Sequence, residues 1–256
     1  MPSSDSSLDR RNFLRGSLGG KSYMRWDGVN FGAQMGLSNV GTDFGNGTSS
    51  IVAFILRNST LEDEFAPSNW TTLSSDTTNG RQYGAFLGYN FQWDQLVLGI
   101  DGAYNRATTI NSSATDSITR IVTTSDSVQH NVTIDASSSL TLIDYATLRA
   151  RAGYAMGQFL PYAVVGAAVG RFNYANAATV TDIQTVASVV QPAFVQSGSN
   201  GKSNAITGGF VVGLGLDVAV LPNVFLRGEW EFVGFAPISG VRATMNTGRV
   251  GLGVRF

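Results

Sequence analysis

Arg249-Val250-Gly251-Leu252-Gly253-Val254-Arg255-Phe256 is the stretch on which the reading of this sequence turns. Side chains of an extended strand alternate with period two, so Val250, Leu252, Val254 and Phe256 share one face. Arg249, Gly251, Gly253 and Arg255 share the other. An apolar face ending in an aromatic ring fits the edge of a soluble sheet. It also fits a strand bathed in lipid, with the ring at the membrane interface. The rest of the sequence has to choose.

Working outward, composition narrows the choice. The 256 residues hold 30 glycines and no cysteine, and charged residues make up 14%. That length suits one large β domain or two smaller ones. A net charge of −1 gives no basic field, which argues against nucleic acid as a partner. Only Lys21 and Lys202 are lysines, whereas soluble β proteins cover surfaces and sheet edges with Lys and Glu. The missing cysteine removes disulfides, thiolate metal sites and thiol chemistry together. Residues 152–170 carry no charge and imitate a membrane helix, but Gly153, Gly157, Gln158, Pro161 and Gly166 punctuate them. Two strands and a hairpin are expected there instead. Arg10-Arg11-Asn12-Phe13-Leu14-Arg15 imitates a twin-arginine export signal without the apolar segment that should follow. An exported form would need a cleavable leader that these residues do not supply.

Taken in order, residues 1–25 read as a flexible arm and 26–256 as a single domain. The first strand sets Val29, Phe31, Ala33, Met35 and Leu37 against Gly28, Asn30, Gly32, Gln34 and Gly36. An irregular stretch from about 39 to 80 follows, with Ser59 and Glu62 at capping-box spacing for a short helix. Tyr83, Phe91 and Trp93 lie on the apolar face of strand two, and Tyr104 on that of strand three. Residues 107–139 read as a polar insertion; within it Val128, His130, Val132 and Ile134 alternate, as in strands that extend beyond a membrane. Strand four carries Arg149 and Arg151 opposite Ala150 and Tyr154. Strand five, about 160–173, has two nearly equally apolar faces and cannot be phased. A third insertion covers 174–203; strands six and seven then carry Asp217, and Arg227, Glu229 and Glu231 opposite Trp230. Tight turns near Asp94, Gln158 and Pro222 alternate with long polar insertions, which puts all turns at one end and all loops at the other. The expected fold is all-β: an eight-stranded antiparallel up-and-down transmembrane β-barrel with short periplasmic turns and long extracellular loops. Ten strands result if the second insertion adds a pair.

Alternation alone does not distinguish a membrane barrel from a lipocalin-like soluble one. Here the apolar face carries rings toward strand ends, Tyr83, Phe91, Trp93, Tyr104, Tyr154, Trp230 and Phe256, as an interfacial girdle would. The other face alternates glycine with Arg, Asp and Glu. At ~3.3 Å rise per residue and ~45° tilt, the charges fall near mid-membrane. Facing lipid, each Arg would cost roughly 2–4 kcal/mol, so they must point inward. Buried charges need partners. Asp101, Arg149, Arg151, Asp217, Arg227, Glu229, Glu231 and Arg249 are therefore expected as a lumenal ion-pair cluster. The competing reading is an ion-selective constriction in an open pore.

Arg25-Trp26-Asp27-Gly28-Val29-Asn30-Phe31-Gly32, Tyr83-Gly84-Ala85-Phe86-Leu87-Gly88-Tyr89-Asn90, Leu148-Arg149-Ala150-Arg151-Ala152-Gly153-Tyr154, Leu160-Pro161-Tyr162 and the terminal octet, with Leu14-Arg15-Gly16-Ser17, together resemble a known family. It is the small outer-membrane β-barrel ("porin family") proteins of alphaproteobacteria, within the OmpA-like barrel superfamily. The resemblance implies an outer-membrane location and an eight-strand barrel, with lipid bilayer and lipopolysaccharide as surroundings. Gly251, Val254 and Phe256 resemble the signal read by the barrel assembly machinery. Members are often called porins or surface antigens; the large insertions here depart from the family and leave any loop role open.

No catalytic, cofactor or metal-ligand pattern emerges. His130, the single histidine, reads as a solvated loop residue, though it is the only base available to a Ser-His-Asp arrangement. Glu62-Asp63-Glu64 reads as a solvated helix start, since consecutive carboxylates do not face one point. The leading expectation is a non-enzymatic barrel that presents surface loops over a lumen closed by ion pairs. The alternative is a small passive diffusion pore, and a lipid hydrolase is a distant third.

Overall fold

The computed structural model describes residues 25–70, 73–108 and 110–256. The N-terminal arm, apart from Arg25, and the twin-arginine run lie outside the described residues. Among the described residues ten strands form one antiparallel sheet: β1 (Gly28–Asp43), β2 (Asp76–Trp93), β3 (Leu96–Thr108), β4 (Asn111–Thr123), β5 (Gln129–Tyr154), β6 (Phe159–Val186), β7 (Val189–Val190), β8 (Phe194–Leu221), β9 (Val224–Phe235) and β10 (Arg242–Arg255). Eight of them close a ring in the order β1-β2-β3-β5-β6-β8-β9-β10. The quoted C-terminal strand is the closure, pairing with β1 from Asn30↔Arg255 to Asp43↔Arg242. The two further strands stand outside the ring. β4 runs along the upper part of β5, and β7 is a short addition to the tip of β6.

Neighbouring ring strands are joined at one end by the turns at Asp94, at Gly157 and at Pro222–Asn223. Asp94 and Gly157 have φ of 51° and 63°, the left-handed conformation that such reversals require. The opposite end carries the long connections. Residues between β1 and β2 form α1 (Ser49–Ile55), α2 (Thr60–Phe65) and a 3-10 turn at Pro67–Asn69. Ser59 caps α2 by accepting from the Glu62 N–H, as its spacing predicts.

The expected insertions at 107–139 and 174–203 are instead mostly strand, because β5, β6 and β8 continue past the ring. Two bulges hid this continuity. One adds a residue to β5 between Leu142 and Asp144, the other adds one to β8 between Lys202 and Ala205, opposite Phe172 and Tyr174 of β6. Below the first, odd residues of β5 point inward (Tyr145, Arg149, Arg151); above it, even residues do (Leu142, Ile134, Val132, His130). One extra residue shifts the phase of everything beyond it, so a strict period-two reading fails there. Above the bulges the inner faces of β5 and β6, through Val132, Ile134, Ala178 and Val180, pack on Ile51, Val52, Ile55, Leu61 and Trp70 of the helical connection.

The interior is layered. Trp26, Phe86, Val97, Leu160 and Phe225 fill the tight-turn end. A second apolar layer, including Phe44, Leu142, Tyr145, Phe172, Phe235 and Met245, lies toward the long connections. Charged groups occupy the level between. Inward glycines admit the rings: a Cβ on Gly32 would sit 2.5 Å from the Phe86 ring, and one on Gly253 2.4 Å from that of Phe225. The glycines therefore accommodate aromatic plugs as well as long ionic side chains. Strand five of the sequence reading acquires its phase from the same packing, with Leu160, Tyr162 and Val164 inward and Val165 and Val169 outward.

Candidate functional site

All eight predicted lumenal residues meet, in one continuous chain of ion pairs. Arg151 donates to Asp217, and Arg227 grips the same carboxylate through Nε (2.9 Å) and Nη2 (3.0 Å). Arg227 Nη1 also donates to Asp101 Oδ2 at 3.0 Å. Asp101 Oδ1 accepts from Arg149, whose Nη1 reaches Glu229 Oε1 (2.5 Å) and Glu231 Oε2 (2.6 Å). Arg249 closes the chain onto the same two glutamates. Register makes this possible. Asp101 lies opposite Arg149 on β3 and β5, Glu229 opposite Arg249 on β9 and β10, and Asp217 opposite Arg227 on β8 and β9.

Four guanidinium groups face four carboxylates, each side chain at most 2% exposed. Sequence reasoning missed what surrounds them. The Tyr162 hydroxyl donates to Glu229 at 2.7 Å, and its ring lies under Arg151 (3.5 Å from Cζ to the ring centre). Arg227 rests over Phe86 at 4.1 Å. Tyr145 donates to Glu231 at 3.4 Å. Phe86 and Phe225 share the inward parity of the charges, which was a legible signal. Tyr145 shares that parity too, being two residues from Thr147 on the inward face of β5, whereas Tyr162 was not legible, since it lies on the unphased strand. Hydrogen bonds Gln34–Asn105 and Ser38–Thr247 add neutral polar links beside the ionic chain.

The outward face is apolar, with Leu98, Ile100, Leu148, Leu214, Leu226, Val250 and Leu252 exposed. Tyr83, Phe91, Trp93, Tyr104, Tyr154 and Trp230 all point outward. Phe91, Trp93 and Tyr154, with Phe256, flank the tight-turn end, and Tyr83 and Tyr104 lie toward the other. Trp230 is mid-strand on β9, away from both rims. Gly251 points inward beneath β1, while Val254 and Phe256 lie at the end of the closing pair, Phe256 stacked on Phe31 at 5.9 Å.

His130 is a correction. It is 6% exposed, on the inner face of β5, with Nδ1 2.8 Å from Asp182 Oδ2. Asp182 also accepts from Gln184 at 3.0 Å. No serine hydroxyl bonds to His130 among the described residues. The acidic run is not simply solvated either. Glu62 accepts from Ser68, and Glu64 from Ser125, in different directions. No group of three metal-ligating side chains comes together among the described residues.

No curated protein sequence matches this chain. Among solved structures, Ail, the attachment invasion locus protein of Yersinia pestis, is 15% identical with a TM-score of 0.38, over 90% of this chain and 99% of its own. Neisserial surface protein A is 12% identical with a TM-score of 0.34, over 88% and 97%. The N-terminal β-barrel domain of Pseudomonas aeruginosa OprF is 14% identical with a TM-score of 0.31, over 86% and 96%. The family described as outer membrane protein beta-barrel domain matches residues 22–256, so this chain belongs to the β-barrel proteins of the bacterial outer membrane.

Proposed function

We propose that the barrel is a closed membrane anchor rather than a conduit, and that it presents the β4–β8 tip and its helices for contact at the cell surface. The carrying observation is the unbroken chain from Arg151 to Arg249, with apolar layers on both sides of it. A solute would have to part buried pairs, and separating one partner typically costs about 3–5 kcal/mol. The tight turns then face the periplasm and the long connections the exterior, with the rings at both strand ends resting at the lipid interfaces. Lipid and lipopolysaccharide surround the wall, and Gly251, Val254 and Phe256 serve the assembly machinery during insertion. The role is non-enzymatic. Purified protein in planar bilayers is expected to give no steady conductance. Large, reproducible open-channel steps would establish the diffusion pore instead.

A further inference from the structure

Next to the bulge, β5 carries one carboxylate on the side away from the lumen. Asp144 faces outward while its neighbour Tyr145 stays inside. On the outer wall the Tyr104 hydroxyl donates to Asp144 Oδ2 at 2.9 Å, and Arg106 Nη1 does so at 3.4 Å. Arg171 donates through Nε to Oδ1 at 3.1 Å and through Nη2 to Oδ2. Asp144 is nearly covered at 8% side-chain exposure, yet Arg106 and Arg171 remain 47% and 38% exposed. Two guanidinium groups share one carboxylate, so the cluster is positive. Arg106 Nε and Nη2 and Arg171 Nη1 have no protein partner among the described residues.

Depth fixes what that charge meets. Asp144 lies ten positions from Tyr154 along β5, and Arg106 ten from Leu96 along β3. At ~3.3 Å per residue and ~45° tilt that is about 23 Å, close to the ~25 Å height of a barrel's apolar band. The cluster therefore stands where hydrocarbon gives way to head groups, on the long-connection side. Directly below it the wall is Ala146, Leu148 and Val169, all exposed and apolar. Free guanidinium donors over an apolar wall match a phosphate joined to acyl chains.

We propose that Tyr104, Arg106, Asp144 and Arg171 form a binding site for the phosphate head group of a membrane lipid, whose chains lie along Ala146, Leu148 and Val169. The site rests on the outer-membrane placement but not on whether the lumen is closed. Asp144 orients both arginines and limits the charge; the unpaired donors take the phosphate.

The test uses the folded full chain in zwitterionic micelles, with native mass spectrometry counting retained lipid. Phosphatidic acid is compared with phosphatidylcholine of the same chains. Phosphatidic acid should be retained and phosphatidylcholine poorly. Arg106→Gln/Arg171→Gln should lower phosphatidic acid retention about tenfold, given the strength of charge-assisted bonds. Asp144→Asn supplies a second readout, because removing the competing carboxylate should raise retention, whereas an ion pair that serves only the fold gives no rise. Equal retention by wild type and the double variant overturns the proposal. So does displacement by millimolar inorganic phosphate, which would show that no acyl contact contributes. Conductance plays no part in these outcomes, so failure here and failure of the closed-lumen reading are separable.

Discussion

Arg149→Met probes the ionic chain at its centre. Arg149 is 1% exposed and donates to three carboxylates on two other strands, Asp101 on β3 and Glu229 and Glu231 on β9, from its own place on β5. Methionine keeps an unbranched apolar stem and removes the charge with every donor. Asp101 still has Arg227, and both glutamates still have Arg249. No carboxylate is left bare, but four positive and four negative groups become three and four. Removing one partner of a buried pair costs about 3–5 kcal/mol, and the surviving partners place this variant near the lower figure, about 3 kcal/mol. Equilibrium urea unfolding in lipid vesicles reads the loss. A double-mutant cycle with Glu229→Gln should return a coupling in the upper half of the usual range, about 1.5–3 kcal/mol. A cost below about 1 kcal/mol with no coupling, the behaviour of exposed pairs, would refute the reasoning. The lumen would then be wet enough to screen its charges, and closure by ion pairs would lose its basis.

Further predictions address other layers. A Cβ on Gly215 would lie 2.2 Å from the Tyr162 ring; Gly215→Ala should displace that ring and cost about 1–3 kcal/mol in the same unfolding measurement. Ser59→Ala removes the α2 cap, with a local loss of about 1 kcal/mol read as faster hydrogen exchange over 60–66 and an unchanged global midpoint. The Thr124 hydroxyl, then the Val128 N–H, hold the Asp126 carboxyl below its ordinary value of 3.8. A depressed folded value means the contribution is present above about pH 4 and is lost as pH falls through the lower value. The β4–β5 turn should therefore loosen only in strong acid, seen as increased protease nicking at 124–128; loosening between pH 5 and 7 would contradict this.

Much of the barrel was legible because membrane strands obey a short, rigid period. The terminal octet gave the closing strand, and parity alone assembled Asp101, Arg149, Arg151, Asp217, Arg227, Glu229, Glu231 and Arg249. The illegible parts have local causes. Bulges beside Asp144 on β5 and beside Asn204 on β8 invert the parity of those two strands, so the segments beyond them read as insertions. For that reason His130 reads as a loop residue in the sequence, although it is buried against Asp182. Asp144 continues the outward parity of Ala146 and Leu148, so its side of the wall was legible, whereas its partners Arg106 and Arg171 on neighbouring strands were not. In β6 both faces are apolar, and only partners distant in sequence, Glu229 and Arg151, determine that Tyr162 points in. The aromatic plugs Phe86 and Phe225 could have been found by extending the parity of the charges toward the turns.

In a membrane barrel, hydrocarbon contacts the wall that bears Trp230. Trp230 lies six positions from Val224 on β9, about 14 Å up a band of ~25 Å. A chain with Trp26, Trp70 and Trp93 each replaced by Phe isolates its fluorescence. In vesicles of lipid brominated near the chain ends, Trp230 should be quenched strongly and aqueous iodide should have little effect. Strong iodide quenching with indifference to the brominated chains would contradict the account, because that wall would then face water.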